Sequence, residues 1–374
     1  MADEIRIDSE RLVKEFFKLV SLDCPSFGER RIADYLKSEL ADLGFEILED
    51  KAGEIYGGSC GNIYGFLQGE LAGEPILFSA HMDTVEPAIG KEAVLHPDGR
   101  ITSKGSTVLG ADDAAGITSI LEAVRYVREK KIAHRSIEVL FTIAEEVYAK
   151  GAAVFDYRNI KAKEAYTLDL SGPVGTAAYR APSILSYTVN IKGKASHAGF
   201  EPEKGINAVS VAAKAISDIK VGKIDTDTTV NVGVIEGGTA TNIVPARCTI
   251  RGEVRSFSNE KALKVLADIA ETFRSTAAGY GAGCEWIEVH NCIAFEIEKS
   301  HPVIKRYERA CEERGISTVL VETFGGSDHN VYAQKGIKGI VISTAMNRVH
   351  TCDEYSDIKE LVNSSEVVVN LLTI

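Results

Sequence analysis

The chain has 374 residues, 42 Lys plus Arg against 54 Asp plus Glu, a formal charge of −12, and 45% hydrophobic residues. This length suits two domains with separate cores, and the composition argues against a disordered or low-complexity chain. No apolar run approaches the ~18 residues of a membrane span, and an acid excess without basic clusters argues against nucleic acid as a partner.

The opening MADEIRIDSE is acidic and polar, without the apolar stretch of a secretory signal, which points to the cytoplasm. Seven scattered cysteines without a CxxC pair suit reduced thiols there better than a disulfide framework. Two helices are expected first, one capped by Ser9 with Leu12, Val13, Phe16, Phe17 and Val20 on one face, the other near Glu29 to Leu43. Short apolar runs follow at Asn62 to Leu67, Ile76 to Ala80, Ile137 to Ala144 and Ala165 to Leu170, with a helix from about Asp112 to Arg128 between the second and third. Strands alternating with helices predict an α/β layer whose sheet is mixed, largely parallel and flanked by helices.

Near residue 180 the pattern changes. Ser183 to Ile191, Thr228 to Ile235, Arg247 to Val254 and Glu285 to Cys292 read as strands, with helices over Gly205 to Asp218 and Asn259 to Ala278. Residues 181–295 thus form an inserted α+β domain, and 1–180 with 296–374 form the α/β domain, closed by a helix, the strand Lys338 to Ser343 and a terminal helix.

Ligands of an open α/β sheet gather at the carboxyl ends of its strands. There the sequence sets His81 and Asp83, then Glu145 and Glu146, then Asp169; Asp112 and Asp113 open a helix, and His350 follows the late strand. Any one of these is an ordinary cap or surface acid. Several carboxylates behind buried strands, with Lys and Arg missing from those segments, require another source of positive charge. Imidazole and carboxylate without thiolate suit a pair of zinc ions, and also cobalt or manganese. His81 and Asp83, two apart on an extended strand, face one side, so the Asp83 carboxylate can take the second imidazole proton. The side chains of Glu145 and Glu146 diverge, so one can bind metal while the other handles a water proton. A hydroxide held between two metals is a nucleophile available at neutral pH.

HMDTV (81–85), GADDAAG (110–116), AEEVYAKGAA (144–153), LDLSGPVG around Asp169, KASHAGFEPEKGINA (194–208), GGTATNIVP (237–245) and RVHTCDE (348–354) together resemble the ordered motifs of the M20 family of dinuclear zinc peptidases, with the tripeptidase T branch most similar. The resemblance spans nearly the whole chain. It implies that Asp112 bridges both ions, that His81 and Asp169 complete one site and that Glu146 and His350 complete the other. Glu145 is then the general base, Asp83 orients His81, and a cis peptide precedes Asp113. The inserted domain becomes a lid and dimerisation domain, in which His197 stabilises the oxyanion while Asn242, Arg255 and Gly326 hold substrate. The implied activity is removal of the N-terminal residue from a short peptide. An N-acyl amino acid deacylase or carboxypeptidase of the same family, or a non-catalytic metal-binding relative, stays open as an alternative. Two departures from the family pattern, Ala114 after the Asp pair and Tyr148 after the Glu pair, touch no ligand but bear on substrate choice.

Gly57-Gly-Ser-Cys-Gly61 matches GxSxG, but a strand follows instead of a helix, so a Gly-rich hairpin tip is expected in place of a nucleophile elbow. His96, His134, His290 and His301 read as surface or strand-end residues, and Ser327 and Asp328 as part of a pocket loop beside His329.

Overall fold

The computed structural model describes residues 5–374; residues 1–4, part of the acidic opening, lie outside them. The described chain divides into two compact units. The first runs to Arg180 and resumes over Glu296–Thr323 and Ser327–Ile374; the second comprises Ala181–Phe295 and Phe324–Gly326.

The first unit is built on a mixed sheet. From one edge its strands are Glu46–Glu49, Ile63–Leu67, Ile137–Thr142, Ile76–His81, Glu164–Leu170, Lys338–Ser343 and Thr176–Ala181, with Val319–Glu322 beside the last. The four central strands, from Ile137–Thr142 to Lys338–Ser343, are mutually parallel. Ile76–His81 and Ile137–Thr142 are buried at every position, as expected for strands covered on both faces, and their sequences are largely apolar, with Ser79, His81, Glu138 and Thr142 as the buried polar exceptions. Helix Ala111–Lys130 is buried nearly all round and packs against Ser9–Val20 and Ile358–Thr373. Because the central strands are parallel, the segments that follow them leave the sheet at one edge.

The second unit is a five-stranded antiparallel sheet in the order Gly222–Lys223, Thr228–Gly237, Arg247–Ser256, Ser183–Lys192, Gly283–Cys292. Helices Ala208–Asp218 and Asn259–Gly279 cover it, enclosing a core that includes Leu185, Val189, Ile250, Leu266 and Phe273.

Several local expectations change. The first helix is capped by Asp8, whose carboxylate accepts from Glu10 N and Arg11 N, and Ser9 is the first helical residue. The helix expected from Gly205 begins at Ala208, capped by Asn207, after a short 3-10 turn at Pro202–Lys204. A small sheet of Ala93–Leu95, Arg100–Ser103 and Tyr355–Asp357 was not anticipated, its strands being three or four residues long. Ser327 is no pocket-loop residue; it heads helix Asp328–Gln334 in a capping box with Asn330. The GxSxG segment is preceded by helix Ala52–Tyr56, with Gly57 as its left-handed cap, and Ser59 Oγ accepts from Arg30 N, so the Ser is no nucleophile elbow. His134, expected at the surface or a strand end, is buried, its Nδ1 2.7 Å from the Arg135 carbonyl oxygen. None of the seven cysteines is in a disulfide. No helix among the described residues is long and apolar enough to cross a membrane.

Candidate metal centre

Five proposed ligands converge at the carboxyl edge of the parallel strands. His81 closes Ile76–His81, Glu146 follows Ile137–Thr142, Asp169 lies at the end of Glu164–Leu170, and Asp112 opens the long helix. His350 comes from the loop after Ser343 and is half-exposed. His81 Nε2 is 2.9 Å from Asp112 Oδ1 and 4.0 Å from Asp169 Oδ1. His350 Nε2 is 3.2 Å from Asp112 Oδ2 and 3.0 Å from Glu146 Oε2. The two triads, His81–Asp112–Asp169 and Asp112–Glu146–His350, each have their ligand atoms within 4.8 Å of one another and share Asp112, one oxygen to each.

The surrounding groups hold this arrangement in place. Asp113 Oδ2 accepts from His81 N at 3.1 Å and its Oδ1 from Gly116 N at 3.1 Å, tying strand to helix. A Cβ at Gly116 would stand 2.3 Å from Asp113 Oδ1 and 2.5 Å from Leu168 O, so only glycine permits the approach. The Asp112–Asp113 peptide is cis. Glu354, 1% exposed, accepts from Gly110 N at 2.7 Å and Asp112 N at 3.0 Å. Asp83 departs from expectation in detail. His81 Nδ1 lies 2.9 Å from the Asp83 carbonyl oxygen and 3.5 Å from its Oδ1, while the carboxylate accepts from Glu145 N at 2.9 Å, Glu146 N at 3.2 Å and Ser26 Oγ at 2.7 Å. Asp83 therefore serves the Glu145–Glu146 turn as much as the imidazole.

Electrostatically the cluster lacks cations. Among the described residues no Lys or Arg pairs with Asp83, Asp112, Asp113, Glu145, Glu146, Asp169 or Asp328. Burial, then the charge of Asp169, pushes the Glu145 carboxyl well up. Burial, then Asp112, does the same to Asp169. Asp328, hydrogen-bonded to Thr142 Oγ1, is pushed by burial to about 7. Burial also tends to raise Asp112, but hydrogen bonds from His350 and His81 outweigh it and hold the carboxyl below the usual range. Hydrogen bonds to Asp112 and Glu146 lift His350 to about 11, and those to Asp112 and Asp83 raise His81 against the opposing effect of burial.

The residues fit a pair of divalent ions. Glu146 Oε1 is buried with no hydrogen-bond partner among the described residues, Asp112 presents both oxygens in different directions, and the donors are imidazole and carboxylate alone. Ala144, Tyr148, Ala149 and His350 adopt positive φ, an unfavourable backbone for non-glycine residues that concentrates around the ligands.

The other proposed site residues belong to the second unit. His197 Nδ1 accepts from Gly199 N at 3.1 Å and Phe200 N at 3.2 Å, which leaves Nε2 as the donor, and its ring stacks on Phe200 with centroids 4.2 Å apart. His197 forms an isolated antiparallel bridge with Ile243, and Ala198 N donates to Asn242 O, so His197 and Asn242 share one loop pair. Arg255 is half-buried, its guanidinium held by Glu253 and by the Phe324 carbonyl at 2.7 Å. Gly326 lies in that same segment, where a Cβ would stand 2.9 Å from Cys292 Sγ.

Glu354, Ser26 and Glu29, which also accepts hydrogen bonds in this region, were missed from the sequence. Glu354 closes the RVHTCDE motif four residues after His350, but nothing in its spacing shows that it reaches back to the Asp112 amide.

Comparison with known proteins agrees with this geometry. A family model described as the peptidase dimerisation domain of the M20 peptidases matches residues 179–281, and one described as peptidase family M28 matches residues 62–225. The crystal structure of aminopeptidase PepT from Bacillus cereus is 38% identical, with a TM-score of 0.92 and 98% of each chain covered. That of a tripeptidase from Staphylococcus aureus is 31% identical, with a TM-score of 0.95 and the same coverage. The uncharacterised Bacillus subtilis protein YqjE is 36% identical over 98% of both chains. With the two carboxylate-bridged triads in place, the chain belongs to the M20 family of dinuclear-metal peptidases, on the peptidase T branch, and is a metal-dependent hydrolase.

Proposed function

We propose that this enzyme removes the N-terminal residue from short peptides, tripeptides above all, with Glu145 as its general base. The observation that carries the reading is the Asp112-bridged double triad beside a separate, partly buried carboxylate on Glu145. His81, Asp112 and Asp169 would hold one ion, and Asp112, Glu146 and His350 the other; zinc fits these donors. Two ions bound there would supply Lewis acidity toward the scissile carbonyl and the attacking water. Glu145 takes the proton of the attacking water on its carboxylate and gives it to the leaving amine nitrogen. Its burial favours taking up that proton. Asp83 holds the Glu145 and Glu146 amides, and Asp113 and Glu354 hold the backbones of His81 and Asp112.

For the second unit the reading rests on the family resemblance. His197, through the Nε2 that its backbone contacts leave as donor, would stabilise the oxyanion. Asn242, Arg255 and Gly326 would bind substrate, and the match to a peptidase dimerisation domain supports a homodimer formed through this unit. Seven cysteines without a disulfide suit a reducing compartment, and we place the enzyme in the cytoplasm.

The test is a substrate panel assayed with zinc, cobalt or manganese. Tripeptides with a free amino end are expected to lose their first residue, and N-acetylation should reduce the rate by at least an order of magnitude. Hydrolysis confined to N-blocked substrates would instead make the enzyme a deacylase.

A further inference from the structure

The Glu145–Glu146 turn is held from behind by a side chain that no part of the chemistry above uses. Glu29 immediately precedes helix Arg30–Asp42 and is completely buried. An acid at a helix start is ordinarily explained by the helix dipole, in which case its carboxylate caps the first turn. Glu29 does not do this. Its Oε1 accepts from Phe27 N at 2.7 Å and from Ala144 N at 3.0 Å, 115 residues away, and its Oε2 is buried without a partner among the described residues.

The two amides it binds share a feature: Phe27 has φ 70° and Ala144 has φ 52°, both in the left-handed region. Such a conformation is unfavourable for a residue with a Cβ and persists only where surrounding contacts enforce it. Downstream, Glu145 N and Glu146 N go to the two oxygens of Asp83. Three successive amides of this turn therefore end on two buried carboxylates. Burial first, and the charge of Asp83 second, push Glu29 up to about 7. The segment bearing Glu29 is itself anchored, with Ser26 Oγ donating to Asp83, Thr84 N to Cys24 O, Ser59 N to Phe27 O, and a parallel bridge between Pro25 and Thr84.

We propose that Glu29 is a positioning residue for Glu145: by accepting the Ala144 amide it holds the turn in its left-handed conformation and so fixes where the Glu145 carboxylate points. Asp83 alone fixes the two amides after the bend, whereas Glu29 fixes the bend itself. Displacing a catalytic group by about 1 Å can cost ~10²-fold in rate, so loss of Glu29 acts on turnover through Glu145 and leaves the metal ligands alone. The proposal rests on the general-base reading of Glu145.

The test compares Glu29→Ala, Glu29→Gln and the double variant Glu29→Ala with Ala144→Gly, reading kcat, KM and bound metal on a tripeptide. Glu29→Ala is expected to lower kcat roughly 10- to 100-fold, with KM within about twofold and metal content unchanged. Gln keeps an oxygen at Oε1 and should recover most of kcat. Glycine at 144 adopts positive φ without strain and should recover part of it in the double variant. Should Glu29→Ala not fold, Glu29→Met, of similar length and without an acceptor, takes its place against Glu29→Gln. Full kcat in the variant lacking the acceptor, equal loss in the Gln variant, or loss of metal in parallel with kcat would each overturn the proposal. Turnover retained by Glu145→Gln would remove the base reading itself; an inactive Glu145→Gln beside a fully active Glu29→Ala removes only the role of Glu29.

Discussion

Glu145→Gln is expected to lower kcat by a factor of about 10²–10⁴, the usual range for loss of a general acid or base, while KM and bound metal stay close to wild type. The amide is nearly isosteric with the carboxylate but cannot accept the proton of the attacking water. Neither triad includes Glu145, so both ligand sets remain. Its backbone N–H still donates to Asp83 Oδ1, so the turn keeps its shape. The loss is thus confined to proton transfer. Steady-state kinetics on a tripeptide, with metal analysis of the same sample, measures it. Unchanged kcat would remove Glu145 from the mechanism, and loss of metal together with kcat would make it a ligand instead.

Removing the metals should destabilise the first unit. Asp83, Asp112, Glu145, Glu146 and Asp169 contribute five formal negative charges, and two divalent ions add four positive ones. Stripped of ions, the buried carboxylates must repel one another, take up protons or draw on the two imidazoles; the raised Glu145 and Asp169 and the raised His81 and His350 are that response. A ligand at one hundred times its Kd stabilises the folded state by about 2.7 kcal/mol. Two such sites correspond to roughly 10 °C or more in Tm for a unit of this size. Differential scanning calorimetry before and after chelation should show that fall, reversed on adding zinc; an unchanged Tm would mean that the cluster does not bind ions in the fold.

Much of this architecture is legible in the sequence for a definite reason. Strands such as Ile76–His81 are buried on both faces, so they read as largely apolar runs, and the polar residue ending each run is where a parallel sheet puts its ligands. The alternation in Ser183–Lys192 reports a sheet covered on one face only. What the sequence hides is short or long-range. Ala93–Leu95 and Arg100–Ser103 have too few residues to show a period. Gly325-Gly326-Ser327 has a loop composition although Ser327 starts a helix. Glu29 and Glu354 look like ordinary surface acids, because their partners, Ala144 and Asp112, are more than one hundred residues away. The carboxylate of Asp83 shows the limit of a spacing argument: its proximity to His81 is local and could be foreseen, while its grip on Glu145 and Glu146 depends on two strands being neighbours.

One carboxylate, that of Asp112, joins the two triads, and counting bound ions tests this most directly. Wild-type protein loaded with zinc and freed of excess metal should contain two ions per chain by mass spectrometry, and Asp112→Ala should contain close to none, because both triads lose a shared ligand. A wild-type count of one, or an Asp112→Ala protein that still holds two, would contradict the dinuclear centre.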